Sequence, residues 1–161
     1  MRKLIIAILF MLVCFCAQSQ DTLKVSQDTL EAKDESLKER DKKAKSLSPV
    51  PGKAIVYIIR PTAYGFLVKM KLYCDAVFLG STMAERYVYT IVDPGKYNFI
   101  SKSENKFNFE LTVEPGKIYY LKQQVKMGML YASTKLKLLS EEEGKRYLLK
   151  TKLSKDNTYV E

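Results

Sequence analysis

The chain has 161 residues, of which 28% are charged and 47% hydrophobic, and its formal net charge is +9. This length suits one globular domain with some residues left over. The chain contains no histidine, which excludes catalysis by Ser-His-Asp or Cys-His groups and removes the commonest zinc ligand.

The N-terminus has the layout of a secretory signal peptide. Arg2 and Lys3 form a short positive region, and an apolar run, LIIAILFMLVCFC, follows at 4–16. As a helix this run would measure about 20 Å at ~1.5 Å per residue, which is too short for a hydrocarbon core of ~30 Å. Small residues come next, so we expect cleavage between Ser19 and Gln20 and export to the periplasm or the cell surface.

Two alternatives would keep the chain on a membrane. The leader could stay uncleaved as an anchor, or a lipid could be attached at Cys14 or Cys16. Lipidation normally needs a small residue before the cysteine, whereas the bulky Val13 and Phe15 stand there. Lipoprotein anchoring is therefore the weaker interpretation.

The segment after the leader is polar and balanced in charge. Residues 20–48 carry seven basic and seven acidic side chains and no Gly, Pro or aromatic residue. Leu23, Leu30 and Leu37 recur every seven residues, but single leucines bury too little surface to offset the ordering entropy. We predict a flexible polar tether over 20–52, as a solvated coil or a frayed single helix.

The pattern changes at Lys53 to short apolar runs. AIVYII, at 54–59, is apolar throughout, as in a strand covered on both faces. In LVKMKLYC, at 67–74, apolar residues alternate with Lys and Tyr, so we expect Cys74 to be a small buried side chain rather than a reactive thiol. With turn signals between the runs, the pattern predicts an all-β domain over 53–139, an antiparallel β-sandwich of seven or eight short strands. The expected strands lie at 54–59, 67–74, 77–79, 86–92, 96–103, 107–113, 117–125 and 134–139.

One phrase occurs twice, as VDPGKYNF at 92–99 and VEPGKIYY at 113–120. Pro at the second position of a turn and Gly at the third suit a type II turn. We therefore interpret the repetition as one turn used twice rather than as a binding motif.

The C-terminal part, 140–161, predicts one short helix and a frayed tail. In SEEEGKRYLLKTK, Ser140 would be the N-cap and Glu143 would complete a capping box. Acidic residues in the first turn and basic residues in the last suit the helix dipole. Gly144 inside the helix costs about 1 kcal/mol relative to Ala.

No pair of carboxylates points to hydrolytic chemistry. A glycosidase needs two acids that face each other across a cleft. Four of the six acids of the β domain fall in turns or face outward, and nothing in the spacing of the other two, Glu85 and Glu104, brings them together. We expect no enzyme activity, no catalytic residue, no cofactor and no metal site.

The excess positive charge lies in the middle of the chain, where 50–139 holds thirteen basic and six acidic residues. It could attract an acidic glycan or lipid headgroups, or it could only keep sheet edges from pairing. Nucleic acid is not expected because of the signal peptide. The candidate ligand-binding residues are Tyr64 and Phe66, in the RPTAYGF loop, and Lys126, in QQVKMGML.

The order AIVYIIRP (54–61), LYCDAVFLG (72–80), the two Pro-Gly phrases and SEEEG resembles domain of unknown function 2846, a family of exported bacterial domains. The resemblance covers about 54–144 and implies a small β-sandwich, similar in shape to transthyretin-like or carboxypeptidase-regulatory-like modules, in a cell-envelope setting. Asp75-Ala76 departs from the Asp-Gly usual in the family. The resemblance implies no activity and no site residues.

Together these patterns predict an exported, non-catalytic binding or assembly module of the cell envelope, with an envelope protein of unknown kind as its partner. The alternative is an accessory domain that binds anionic polysaccharide or lipid headgroups and associates peripherally with a membrane.

Overall fold

A computed structural model describes residues 33–127 and 132–158 of the chain. Among these residues no helix is long and apolar enough to cross a bilayer. The expected cleavage site, Ser19 and Gln20, lies outside the described residues. The elements are α1 (33–45), β1 (Ala54–Arg60), β2 (Met70–Cys74), β3 (Val77–Thr82), β4 (Arg86–Val92), β5 (Gly95–Lys102), β6 (Lys106–Val113), β7 (Ile118–Met127), β8 (Ala132–Leu138), α2 (Glu141–Lys150) and β9 (Lys152–Leu153).

The strands form two sheets, which confirms the predicted β-sandwich. One sheet has the order β8-β7-β1-β4-β9 and the other the order β3-β2-β5-β6. All eight predicted strands are present, and β9 is an additional short one. The five-stranded sheet is mixed, because β1 pairs in parallel with β7 and β4 pairs in parallel with β9.

The central strand β1 is buried along its whole length. Every second residue, Ala54, Val56 and Ile58, points into the core between the sheets. Cys74 also belongs to this core and is 6% exposed. This position confirms the prediction of a small buried side chain, and the burial raises the pKa of the thiol to about 12.

The outer face of β1 and its neighbours carries a cluster of tyrosines. The ring of Tyr57 stacks on that of Tyr120 at a centroid distance of 5.5 Å and meets the edge of Tyr87 at 6.0 Å. The Tyr57 hydroxyl donates a hydrogen bond of 2.6 Å to the carbonyl of Ala44, which lies on α1. The Tyr57 hydroxyl thus has a polar partner in the helix that covers this face.

The end of α1 differs from the flexible tether predicted for 20–52. Ala44 is 1% exposed, and a carboxylate oxygen of Asp41 accepts from the backbone N–H of Leu153 at 2.7 Å. Lys45 donates to the carbonyl of Thr151 at 2.6 Å. These contacts bind 40–45 to the C-terminal segment. The sequence does not show that Ala44, a small residue in a polar stretch, is a contact residue.

The residues after α2 also differ from the frayed tail expected there. Lys152 and Leu153 extend the five-stranded sheet beside β4. Thr158 then donates its backbone N–H to the carbonyl of Leu79, on β3 of the other sheet, at 2.9 Å. The segment 151–158 therefore bridges the two sheets along the edge where β3 and β4 meet.

The two Pro-Gly phrases do not adopt the same backbone. Gly116 has a φ of +71°, as the third position of a type II turn requires. Gly95 has a φ of 159° and already pairs with Val113 as the first residue of β5. The predicted type II geometry is thus confirmed for the second phrase and wrong for the first, where Asp93 and Pro94 connect β4 to β5 and strand pairing begins at the glycine.

The helix α2 follows the predicted capping. The Ser140 side chain accepts a hydrogen bond from the backbone N–H of Glu143 at 3.3 Å, and Leu148 is buried. Gly144 is buried too, and an added Cβ would lie 2.1 Å from Cγ of Tyr120. The glycine is thus required by helix-to-sheet packing, which the sequence alone did not indicate.

Candidate functional site

The loop 61–69, between β1 and β2, is held by a buried arginine. Arg60 is 0% exposed. One guanidinium nitrogen, Nη1, donates to the carbonyl of Val68 at 2.6 Å, and Nη2 donates to those of Tyr64 at 3.0 Å and Gly65 at 2.5 Å. A longer contact of 3.5 Å joins Nη1 to the carbonyl of Thr82 on β3. One side chain therefore fixes the backbone of the loop in its middle, at Tyr64 and Gly65, and near its end, at Val68.

The environment of Arg60 is polar rather than ionic. Burial lowers the pKa of its guanidinium, since desolvation disfavours the charged form. The inward side chains next to it form a chain of hydrogen bonds between the sheets: Thr82 donates to Gln123, and Gln123 donates to Ser101 at 2.6 Å. Ser101 and Thr134 then share a bond of 2.6 Å. This end of the interior is fixed by directional bonds, whereas the rest is apolar.

The loop that Arg60 fixes carries exposed apolar side chains. Tyr64 is 58% exposed, Phe66 63% and Leu67 76%. Large apolar groups that stay in water on a constrained loop are unusual for a monomeric domain and are typical of contact surfaces. Two of the three predicted ligand residues, Tyr64 and Phe66, thus lie on one exposed loop; whether they bind a ligand stays a prediction.

The third predicted residue, Lys126, is exposed near the end of β7. Because β7 is parallel to β1 with Ile59 opposite Lys122, Lys126 lies on the part of β7 that extends past the end of β1. The loop 61–69 begins at that same end of β1. Topology thus places all three residues at one end of the sandwich, although Lys126 belongs to a different element.

A basic pocket of about 350 Å³ lies beside the loop. Its charged lining residues are Lys69, Arg86, Lys155 and Asp156, so three positive groups and one carboxylate leave a formal excess of +2. Lys69 is the last residue of the loop and its side chain is 59% exposed. Lys155 is exposed and has no ion-pair partner among the described residues.

The carboxylate of Asp156 is occupied within the protein. One oxygen, Oδ1, accepts from the Ser154 hydroxyl at 2.9 Å and from the Ser81 backbone N–H at 3.3 Å, and Oδ2 accepts from Lys69 at 3.1 Å and from the Ser81 hydroxyl. Burial by itself would raise the pKa of Asp156, but the hydrogen bonds from Ser81, Lys69 and Ser154 outweigh burial and hold it at about 2. This carboxylate therefore fastens the C-terminal segment to β3 and is not free to act as a base.

Sequence reasoning did not find this pocket. Lys155 and Asp156 belong to the stretch expected to be a frayed tail. Lys69 ends a loop, and Arg86 begins β4, which lies in the other sheet from β3 and its residue Ser81. The only available signal was the general excess of basic residues. The pocket exists because 151–158 returns to the sheet edge.

Glu85 and Glu104, the two acids of the β domain that the sequence placed neither in a turn nor on an outward face, lie in separate turns. Glu85 has a φ of +53° in the turn between β3 and β4, and its carbonyl accepts from the N–H of Lys152 at 3.0 Å. Glu104 lines a shallow cleft with Asn105, Ala132 and Ser133, and Glu85 is not among the described lining residues of that cleft. Within the described part of the chain, no group of three or more Cys, Asp or Glu residues could hold a metal ion.

The fold and this surface define a small β-sandwich with an exposed apolar loop and a basic pocket. The chain belongs to the family described as "Protein of unknown function (DUF2846)", whose model matches residues 51–135. It is also similar to an uncharacterized protein of Haemophilus influenzae, with 30% identity over 108 residues. The match covers 66% of this chain and 64% of that protein's own length.

Proposed function

We propose that this protein is an exported, non-catalytic binding or assembly module of the bacterial cell envelope, with the loop 61–69 as its contact surface. The observation that carries the proposal is the exposure of Tyr64, Phe66 and Leu67 on a loop whose backbone is fixed by Arg60. A preorganised loop loses little conformational entropy on binding, so exposed aromatic groups there can contribute more of their contact energy to affinity.

Export is supported by the leader sequence. Arg2 and Lys3 precede an apolar run of thirteen residues, and small residues follow it. The resemblance to exported bacterial domains agrees with this setting.

Photo-crosslinking in living bacteria tests the contact surface. A photoreactive phenylalanine analogue replaces Phe66 in the full chain, and the matched control carries it in place of Leu149, a 74% exposed apolar residue on α2. We expect covalent adducts with an envelope component from position 66, few from position 149, and a severalfold loss at position 66 when Tyr64→Ser is added. Equal adduct yields at the two positions, or none at position 66, would contradict the proposal.

A further inference from the structure

The basic pocket and the apolar loop are parts of one surface. Lys69 lines the pocket, and Leu67 stands only two residues before it, within about 7 Å along an extended chain. Met83, which is 43% exposed, also lines the pocket. Positive groups thus lie beside side chains that would leave water readily.

The pocket can accept an anion without being rearranged. The carboxylate of Asp156 already accepts four hydrogen bonds from within the protein. One guanidinium nitrogen of Arg86 donates to the carbonyl of Leu153 at 3.0 Å, which orients the side chain. Arg86, Lys155 and the N–H groups of Lys69 that do not bind Asp156 are then the groups that can donate to a ligand oxygen. Phosphate is an anion that both arginine and lysine commonly bind.

The neighbouring side chains favour a lipid over a glycan. Tyr64 and Phe66 offer aromatic faces of the kind on which sugars pack, but Leu67 has no such face and is the most exposed of the three apolar loop residues, at 76%. Leucine and phenylalanine gain free energy when they enter an acyl-chain region, and tyrosine prefers the interface beside the headgroups. Basic residues near such a surface add attraction to anionic lipids.

We propose that the pocket lined by Lys69, Arg86 and Lys155 binds the phosphate group of an anionic phospholipid, while Phe66 and Leu67 of the adjacent loop enter the outer part of the acyl-chain layer. This inference rests on the proposed function and names the partner of the same surface. The protein then contacts the bilayer at the end of the sandwich where β1 finishes and the loop 61–69 begins.

Vesicle flotation with the full chain tests the inference. The probes are vesicles that contain phosphatidylglycerol and vesicles of phosphatidylcholine alone, each at low and high NaCl. We expect binding to the anionic vesicles at low salt, weaker binding at high salt, and little binding to the neutral ones. All variants share the same N-terminus, so a difference in vesicle binding between two variants is caused by the sandwich and not by the leader.

Paired variants separate the pocket from general charge. Lys69→Gln with Lys155→Gln should weaken binding to anionic vesicles about tenfold or more. The control, Lys135→Gln with Lys137→Gln, removes the same charge from exposed positions of β8 and should change binding by less than about threefold. Phe66→Ser with Leu67→Ser should also lower vesicle binding. Equal effects of the two lysine pairs would overturn the assignment of this pocket as the lipid-binding site.

Two soluble competitors identify the source of the anion. Glycerol phosphate should compete only in large excess, because it lacks the acyl chains that hold the loop. Strong binding of glycerol phosphate without a preference for vesicles would overturn the lipid assignment, and so would binding of dextran sulfate in the absence of vesicle binding. If Phe66 forms adducts in cells while the lysine pair has no effect on vesicle binding, this inference fails and the proposed function stands. If Phe66 forms no adducts, the proposed function itself fails.

Discussion

Arg60 is an interior cation whose partners are backbone carbonyls. None of the described residues forms an ion pair with it, and Nε has no hydrogen-bond partner among them. A buried guanidinium is tolerated only where several acceptors replace water. The carbonyls of the loop 61–69 supply those acceptors, so the side chain and the loop stabilise each other.

Arg60→Lys should therefore loosen the loop although it keeps the charge. A single ammonium nitrogen cannot replace both guanidinium nitrogens at the carbonyls of Val68 and Tyr64, so some of these partly buried carbonyls lose their donor. We expect a loss of about 2–3 kcal/mol in the free energy of unfolding and faster proteolysis within 61–69, measured by urea denaturation and by mass spectrometry of the fragments. Arg146→Lys, at an exposed position on α2, should leave both quantities unchanged. A loop that resists protease as in the parent would contradict this role for Arg60.

Asp156 should make stability depend on pH in the acid range. Its pKa of about 2 in the folded protein lies below the ordinary value of about 3.9. A group with a lowered folded pKa stabilises the protein above its unfolded pKa and loses that contribution as pH falls toward the folded one. The side chain is 37% exposed, so we expect Asp156→Asn to cost about 1–2 kcal/mol at pH 7.

The measurement is chemical denaturation of the parent and the Asp156→Asn variant between pH 7 and pH 2. The difference in free energy of unfolding should be constant down to about pH 4 and should shrink as the pH approaches 2. Glu114→Gln provides a control carboxylate, since Glu114 pairs with Lys117 at 2.7 Å on the exposed surface. A difference that stays the same at pH 2 would show that the carboxylate charge is not what holds 151–158.

At the scale of elements, α2 packs closely against the sheet because Gly144 has no side chain at the point of contact. The helix packs where Gly144 meets the ring of Tyr120, and this ring stacks in turn on Tyr57. By helix propensity alone, Gly144 destabilises the helix relative to alanine. In the structure it allows a close approach of helix and strand, and this approach covers the tyrosine cluster.

Gly144→Ala should be destabilising although alanine is the better helix former. The gain in propensity is about 1 kcal/mol, whereas a Cβ at 2.1 Å from Cγ of Tyr120 forces the helix away from the sheet. Since overpacking costs roughly 1–3 kcal/mol, occasionally more, we expect a net loss of about 1–2 kcal/mol in the free energy of unfolding. Leu149→Ala, at an exposed site on the same helix, should change stability by less than about 0.5 kcal/mol. A more stable Gly144→Ala variant would refute the packing argument.

The carboxylate of Asp41 attaches the end of α1 to the C-terminal segment. Asp41 accepts from the N–H of Leu153 at 2.7 Å and from the Lys45 ammonium at 2.8 Å. Asp41→Ala leaves the Leu153 N–H without this acceptor, so we expect a loss of about 1–3 kcal/mol and faster amide exchange at 152–153. Hydrogen exchange read by mass spectrometry checks this. Asp34→Ala removes an exposed i,i+4 pair with Lys38 on the same helix and should have little effect on exchange there.

At the scale of the whole molecule, the leader makes a prediction that does not depend on the sandwich. If the chain is exported and cleaved as expected, the protein recovered from cells should begin at Gln20, which N-terminal sequencing or intact mass measures. Replacing Ser19 by Phe should block cleavage and leave the longer form, because signal peptidase needs a small residue there. A lipid-modified mass that begins at Cys14 or Cys16 would instead establish the lipoprotein alternative.

The local pattern of the chain was sufficient for most of the sandwich. Alternation of side chains fixes which face of a strand is buried, and Pro and Gly mark chain reversals, so eight strands and the burial of Cys74 followed from neighbouring residues. The cap of α2 by Ser140 followed for the same reason. The loop with Tyr64 and Phe66 could also be recognised, because Pro61 and Gly65 mark a break between two apolar runs.

What remained hidden depends on contacts between residues far apart in the chain. The parallel pairing of β1 with β7, the covering of the tyrosine cluster and the bridge formed by 151–158 each join segments that show no common pattern. The pocket of Lys69, Arg86 and Lys155 depends on such contacts too. Lys69 comes from the loop 61–69, Arg86 from β4 and Lys155 from the C-terminal segment. Periodicity reports how a residue faces its own strand, whereas only the packed chain decides which distant groups share one surface.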